Sequence, residues 1–268
     1  LANHGLKPRD TRDARRRVLS QNFLRDEEAV RRFLDRADLH PDGLVLEVGG
    51  GEGAITEAAA GLCRELDVYE IDSVYARKPR RRLTDQRNVR VIEGDFVAAI
   101  PPENEPFQVI GNVPFSITAQ VIDWCLGAPA LDNATFITQL EYARKRTGDF
   151  GRWSLLTILT WPLFSWELCG RIPRTSFRPV PRVDAGILQL TQRPRALVSW
   201  SRMRAYERMV ELGFTGVGGS LHASLATRFP SARVSRALAG AGVERDRVVA
   251  FVEPEQWLSI FAALSANG

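Results

Sequence analysis

The sequence predicts an α/β protein, a parallel doubly wound sheet followed by a small all-helical C-terminal domain. Three observations carry that prediction. Short apolar runs alternate with helical stretches between residues 44 and 140, the pattern of repeated strand–helix–strand units. A glycine-rich turn, Glu47-Val48-Gly49-Gly50-Gly51-Glu52-Gly53, follows the first of these runs directly. Beyond residue 193 the apolar residues recur at helical spacing, with no convincing strand. The expected domains are therefore residues 1–192 and 193–268.

Each element has a local reason. Residues 26–39 place Ala29, Val30, Phe33, Leu34 and Ala37 at helical spacing behind an acidic first turn. Gln21-Asn22-Phe23-Leu24 before them reads only as a turn. Pro41-Asp42-Gly43 is a turn signal, and Leu44–Val48 is a short buried strand. After the glycines an alanine-rich helix spans about Ile55 to Leu62. Leu66–Ile71, Val89–Ile92 and Phe107–Ile110 are the next three strands, the last ending in Asn112-Val113-Pro114-Phe115. Ala119–Leu126 is helical and Ala134–Leu140 is the fifth strand. A helix near Ser154–Trp161 precedes two strand-like runs, Phe164–Cys169 and Ala185–Leu190, around a proline-rich stretch. The helices of the second domain are Arg202–Phe214, Ser220–Ala226, Val234–Ala241 and Pro254–Leu264.

Composition narrows the class. The 268 residues, 44% hydrophobic and 25% charged, suit a soluble globular protein with a sizeable core. No apolar run approaches a membrane span, and the basic stretch Leu1–Arg17 lacks a following apolar core, so the expectation is a cytoplasmic protein without a membrane partner. Cys63, Cys125 and Cys169 are odd in number and widely spaced, which points to reduced thiols and to no metal site. The net charge is only +4, yet nearly all cations are arginines in clusters: Arg12–Arg17, Arg77–Arg82, Arg144–Arg146, Arg171–Arg182 and Arg193–Arg208. The planar guanidinium fork suits phosphate, so nucleic acid is one reading. Solvated helix faces in an arginine-preferring genome are the other.

Glycines at Gly49, Gly51 and Gly53 after a strand let backbone N–H groups approach a ligand. Their spacing is neither that of dinucleotide binders nor that of a phosphate-cradling loop. Glu70, at the end of the second strand, is placed to take ribose hydroxyls. Together they point to a nucleoside-containing cofactor. Asp95 has two readings: an acceptor for an adenine amino group with Phe96 covering the ring, or a helix N-cap.

Asn112–Phe115 supplies the reacting half. Proline fixes the backbone, so the Val113 carbonyl and the Asn112 side-chain oxygen converge on one point. Two acceptors there suit an exocyclic NH2 whose lone pair is otherwise delocalised into its ring. Holding both hydrogens favours a pyramidal nitrogen, and Phe115 stacks on the base. Catalysis is then orientation plus electrostatics, with no strong general base. The plainer alternative is a strand ended by proline beside a core phenylalanine.

Gln21–Leu24, Glu47–Gly53, Tyr69–Asp72, Gly94–Phe96, Asn112–Phe115, Gln139–Arg146 and Phe177–Asp184 occur in the order found in the rRNA adenine N6-dimethyltransferases. The chain resembles that family from about Ser20 to Phe261. The resemblance implies a Rossmann-like class I methyltransferase sheet and S-adenosyl-L-methionine as cofactor. It implies that Asn22, and Leu24 through its backbone, line the cofactor site, with Gly49 at the methionine end beside Gly51. Glu70 would take the ribose, Ile71 and Phe96 would wall the adenine, Asp95 would hold its amino group, and Asn112 would border both ligands. Phe177 matches a second aromatic over the other face of the target base.

Asn-Val-Pro-Phe, Thr147–Ser154 and Phe214–Ser220 look like the Erm antibiotic-resistance branch. That implies methylation of one flipped adenine of 23S rRNA by a monomer, giving macrolide–lincosamide–streptogramin B resistance. Arg144, Lys145 and the basic N-terminal arm would hold flanking phosphates, and the 193–268 helices would be RNA-associated. Two departures stand out: Pro79 is expected to shorten or kink its helix, and Ala185 stands where the family commonly has Ser. The alternatives are a housekeeping 16S rRNA dimethyltransferase, a non-catalytic nucleic-acid-binding member of the fold, and a small-molecule methyltransferase.

Overall fold

The computed structural model describes residues 22–82 and 86–266, with only the backbone for residues 78–82. Gln21 and the basic arm at Arg12–Arg17 lie outside the described residues, as do the side chains of Arg80–Arg82.

A two-residue strand, β1 (Phe23–Leu24), leads into α1 (Glu27–Ala37), which buries Ala29, Val30, Phe33, Leu34 and Ala37 as its spacing requires. Asp26 caps this helix, accepting the Ala29 N–H at 3.1 Å. The Ser176 hydroxyl donates to the same carboxylate at 2.8 Å and, with the Ala29 N–H, holds its pKa below the usual range. β2 (Leu44–Val48) is buried along its whole length, as a strand covered on both faces must be. There follow α2 (Ala54–Ala59), β3 (Glu65–Glu70), α3 (Ser73–Arg82), β4 (Val89–Glu93), β5 (Phe107–Asn112), α4 (Thr118–Leu126) and β6 (Leu131–Gln139). β2 pairs in parallel with β3 and with β5, β3 with β4, and β5 with β6.

Next come α5 (Leu140–Arg146), α6 (Leu155–Thr160), β7 (Phe164–Ile172), β8 (Phe177–Arg178) and β9 (Ala185–Gln192). Among the described residues the main sheet has seven strands in the order β4-β3-β2-β5-β6-β9-β7. Its chain order reverses beside β2, which lies between β3 and β5. That switch point brings the carboxyl ends of β2 and β5 together, where ligands of open α/β sheets bind. The described residues after β9 include α7 (Trp200–Gly213), α8 (Leu221–Ala226), α9 (Ser231–Gly240) and α10 (Pro254–Ser265).

Compact units follow contacts rather than chain order. Among the described residues, one contains those up to Leu140 together with Cys169–Gln189; the other contains Glu141–Leu168 and those from Leu190 onward. The first has a core that includes Phe33, Val45, Val68, Ile110, Ile137 and Phe177. The second packs Ile158 with Tyr206, Leu225, Leu238, Trp257 and Ile260. The Tyr206 hydroxyl donates to the Ile158 carbonyl at 2.8 Å, so α6, although before residue 193 in sequence, shares the core of the later helices.

Three local expectations change. Phe23–Leu24 is a strand, because its ladder partner Phe177–Arg178 is remote in sequence and pairs with it antiparallel. Leu140–Arg146 is helical directly after β6. The helix carrying Pro79 continues to Arg82.

Candidate active site

The glycine turn after β2 adopts left-handed backbone at Gly49 (φ 75°), Gly51 (φ 53°) and Gly53 (φ 90°), a region that disfavours side chains. The turn is anchored from β3. Gly49 N–H donates to the Tyr69 carbonyl at 2.8 Å, and Gly51 N–H donates to Glu70 Oε2 at 2.8 Å. Glu70 Oε1 accepts the Asp72 N–H at 2.9 Å. Burial pushes the Glu70 carboxyl above its usual range, opposed by these two N–H groups. Each carboxylate oxygen has a second lone pair, so Glu70 can shape the turn and still accept a ligand hydroxyl.

A cavity of about 290 Å3 opens at the switch point. Val48, Gly49 and Gly51 line it from the β2 turn, Tyr69, Glu70 and Ile71 from β3, and Gly94–Val97 from the turn after β4. Asn112–Ile117 and Gln120 contribute from the end of β5 and from α4, and Asn22, Phe23 and Phe177 complete the lining. Asp95 does cap the short helix at Phe96–Ala98, accepting the Val97 N–H at 3.1 Å, and it also faces the cavity. Phe96 is buried edge-on to Tyr69, with ring centroids 5.4 Å apart, and 4.3 Å from Trp124. Ile71 is 56% exposed, an apolar wall open to the cavity.

On the other side, the Asn112 amide donates from Nδ2 to the Asn22 carbonyl at 2.7 Å. That bond settles the orientation of the amide and leaves Oδ1 as an acceptor. Val113 N–H donates to Ile137 carbonyl at 3.1 Å, and the Pro114 carbonyl accepts from Ile117 N–H at 3.0 Å, starting α4. The tetrapeptide is therefore held by β6 on one side and by its helix on the other. Phe115 is half-buried and Phe177 fully buried; the two rings, remote in sequence, line one cavity.

Asn22, Gly49, Gly51, Glu70, Ile71, Asp95, Phe96, Asn112, Val113, Pro114, Phe115 and Phe177 thus come together. Leu24 does not line the cavity: its side chain is in the core and its backbone pairs with Phe177. Nor do Arg144 and Lys145, which sit on α5. Arg144 is engaged by Asp149, with Nε 2.9 Å from Oδ2, and by Glu141 at 3.4 Å; Lys145 is exposed.

Sequence reasoning passed over Phe23, Gly111 and Glu47. A Cβ on Gly51 would meet the Phe23 ring at 3.0 Å, so this ring covers the glycine turn; its place inside Gln-Asn-Phe-Leu was the available signal. A Cβ on Gly111 would meet the Val48 carbonyl oxygen at 2.6 Å, so only glycine lets β5 approach β2 this closely one residue before Asn112. Glu47 is 1% exposed, and burial pushes its carboxyl up to about 8, with help from the Glu70 charge.

No disulfide joins the cysteines among the described residues; Cys63 and Cys125 are buried and Cys169 is half-buried. Among the described residues no His, Cys, Asp and Glu cluster could hold a metal, and no helix is long and apolar enough to cross a membrane.

A family model described as ribosomal RNA adenine dimethylase matches residues 12–266. An rRNA adenine N-6-methyltransferase of Saccharopolyspora erythraea is 48% identical over 262 residues, covering 98% of this chain and 68% of its own. The mycinamicin-resistance protein MyrB of Micromonospora griseorubida is 33% identical over 247 residues, 92% of this chain and 78% of its own. The crystal structure of the 23S rRNA methyltransferase ErmE superposes with a TM-score of 0.88 at 48% identity, covering 91% of this chain and 99% of that one.

Proposed function

The chain belongs to the ribosomal RNA adenine dimethylase family, and from that premise we propose that it methylates N6 of one flipped adenine in 23S rRNA, in the cytoplasm and as a monomer, giving macrolide–lincosamide–streptogramin B resistance. The observation that carries the chemistry is the fixed amide of Asn112: an Nδ2 N–H donates to the Asn22 carbonyl, and Oδ1 remains for an amine. The names of the relatives support the rRNA substrate, that of ErmE supports 23S, and that of MyrB supports the resistance role.

The donor half of the cavity fits S-adenosyl-L-methionine. A Cβ on Gly49 would meet nothing within 4 Å, so the turn leaves open space for a methionine end. Glu70 keeps free lone pairs for ribose hydroxyls, Ile71 and Phe96 offer apolar walls for an adenine, and the Asp95 carboxylate is an acceptor for its amino group. The cofactor supplies an electrophilic methyl group when bound.

The protein's own part is positioning. Asn112 Oδ1 and the Val113 carbonyl accept the two amine hydrogens and favour a pyramidal nitrogen, whose lone pair is then localised rather than delocalised into the ring. Pro114 keeps that pair of acceptors rigid. Phe115 and Phe177 hold the base, and Arg144 and Lys145 contact neighbouring phosphates. After transfer the nitrogen is acidic enough to release its proton to water, so no side chain need act as a strong base.

Primer extension on 23S rRNA after incubation with protein and S-adenosyl-L-methionine tests this reading. A new stop at one adenine is expected, along with macrolide resistance in a susceptible host. Stops confined to paired adenines of 16S rRNA would transfer the activity to the small subunit.

A further inference from the structure

The second compact unit carries an arrangement that the methyl transfer does not use. The loop after α5 is tied to the short helix at Val249–Phe251 by Trp153 N–H donating to the Ala250 carbonyl at 2.8 Å. Beside this tie two guanidiniums share one ring: Arg152 Cζ lies 5.2 Å and Arg247 Cζ 5.6 Å from the Phe251 centroid. Arg247 Nε also donates to the Phe251 carbonyl at 3.4 Å, which orients its plane. Both arginines are exposed. Neither forms an ion pair among the described residues, unlike Arg144 with its two acidic partners.

Two like charges gathered on one ring without a carboxylate repel each other unless an anion joins them. The aromatic face removes water from one side of each guanidinium and, with only Arg247 Nε engaged by the Phe251 carbonyl, leaves the remaining N–H groups as a pre-oriented pair of donors for phosphate oxygens. The same loop distinguishes a polymer from a free anion. Phe150, two residues before Arg152, is 71% exposed with φ 62°, a left-handed backbone that costs a non-glycine residue, and Arg144 Cζ lies 5.0 Å from its ring centroid. A strained turn that keeps an apolar ring in water suits stacking on a base, as single-stranded nucleic-acid sites use it.

We propose that Arg152 and Arg247, mounted on Phe251, bind a phosphodiester of the RNA substrate and form a contact separate from the cavity that holds the amine. The proposal rests on the reading of RNA as substrate. The test is binding of the full chain to an RNA hairpin with a single-stranded adenine in its loop, followed across a salt series. Arg152→Ala with Arg247→Ala should weaken binding roughly tenfold and reduce the slope of log K against log salt by about one to two. Arg228→Ala with Arg236→Ala removes the same charge from exposed positions elsewhere in this unit and should change affinity much less. Arg152→Lys with Arg247→Lys should recover the salt slope but not the full affinity, because ammonium groups neither stack nor fork.

An unchanged slope in the alanine pair, equal losses in both alanine pairs, or displacement of RNA by millimolar inorganic phosphate would each overturn the site. The comparison needs no methyl transfer. A missing primer-extension stop therefore counts against the proposed activity, and an unchanged slope against this site.

Discussion

Gly111→Ala tests whether the closeness of two strands sets the position of the reacting group. Its added Cβ would stand 2.6 Å from the Val48 carbonyl oxygen and 3.1 Å from the Val48 Cβ, while ordinary contact begins at 3.4 Å. The obstacle is backbone of the neighbouring strand, so no side-chain rotation relieves it. About 0.8 Å must be absorbed by parting β5 from β2, or by bending the last turn of β5. Overpacking of this size costs about 1–3 kcal/mol of stability. The functional cost should be larger in proportion, because Asn112 follows directly and Gly49 begins the facing turn. A misplacement near 1 Å lowers a rate on the order of 100-fold. The assay is kcat for methyl transfer to a 23S rRNA fragment, alongside the Kd for S-adenosyl-L-methionine and the thermal midpoint. Gly61→Ala is the control, since its Cβ would meet nothing within 4 Å. A Gly111→Ala protein with wild-type kcat and an unshifted midpoint would refute the reasoning.

Further expectations concern the carboxylates and the amide. Asn112→Asp sets a carboxylate oxygen against the Asn22 carbonyl that Nδ2 now meets at 2.7 Å, so it should weaken cofactor binding more than Asn112→Ala does. Both should lower methyl transfer on the order of 100-fold or more, as loss of a positioned polar group does, and equal cofactor affinities for the two would contradict the assigned orientation. Glu70→Gln turns one N–H acceptor into a donor facing the Gly51 or Asp72 amide; it should cost about 1–3 kcal/mol locally and raise the cofactor Kd, measured by calorimetry. Glu47 makes stability depend on pH. Its carboxyl titrates near 8 when folded against 4.5 as a free side chain, so between those values the folded protein holds a proton the unfolded chain lacks. Stability is thus undiminished below about 4.5 and falls as pH rises toward 8, by about 5 kcal/mol in all. Glu47→Gln should abolish that part of the decline; parallel urea-unfolding curves for wild type and variant at pH 6 and pH 8.5 would exclude it.

The sequence alone determined the local elements and the chemistry each turn can perform. Apolar runs of strand length separated by helical periodicity specify a doubly wound sheet, since a parallel strand buried on both faces is apolar throughout. Alternate glycines after Val48 announce a backbone that must turn left-handed, and Gly49, Gly51 and Gly53 do so. Asn112, Pro114 and Phe115 declare two acceptors and a stacking face by residue type alone. Asp95 was readable in two ways, and it both caps its helix and faces the cavity, because one oxygen serves the Val97 N–H while the residue lines the pocket.

What depends on strand order and long-range pairing was not legible. Phe23–Leu24 is a strand only because Phe177–Arg178 pairs with it, and no local pattern carries that information. The placement of β2 between β3 and β5 brings the glycine turn and the Asn112 turn to one cavity, and it makes Gly111 a point of strand-to-strand contact. The second hydrogen-bonding task of Glu70, anchoring Gly51, requires β3 to lie beside β2. The pairing of Arg152 with Arg247 likewise joins segments remote in sequence. Residue type states what a group can donate, accept or stack upon; only the folded chain decides what stands within 3 Å of it.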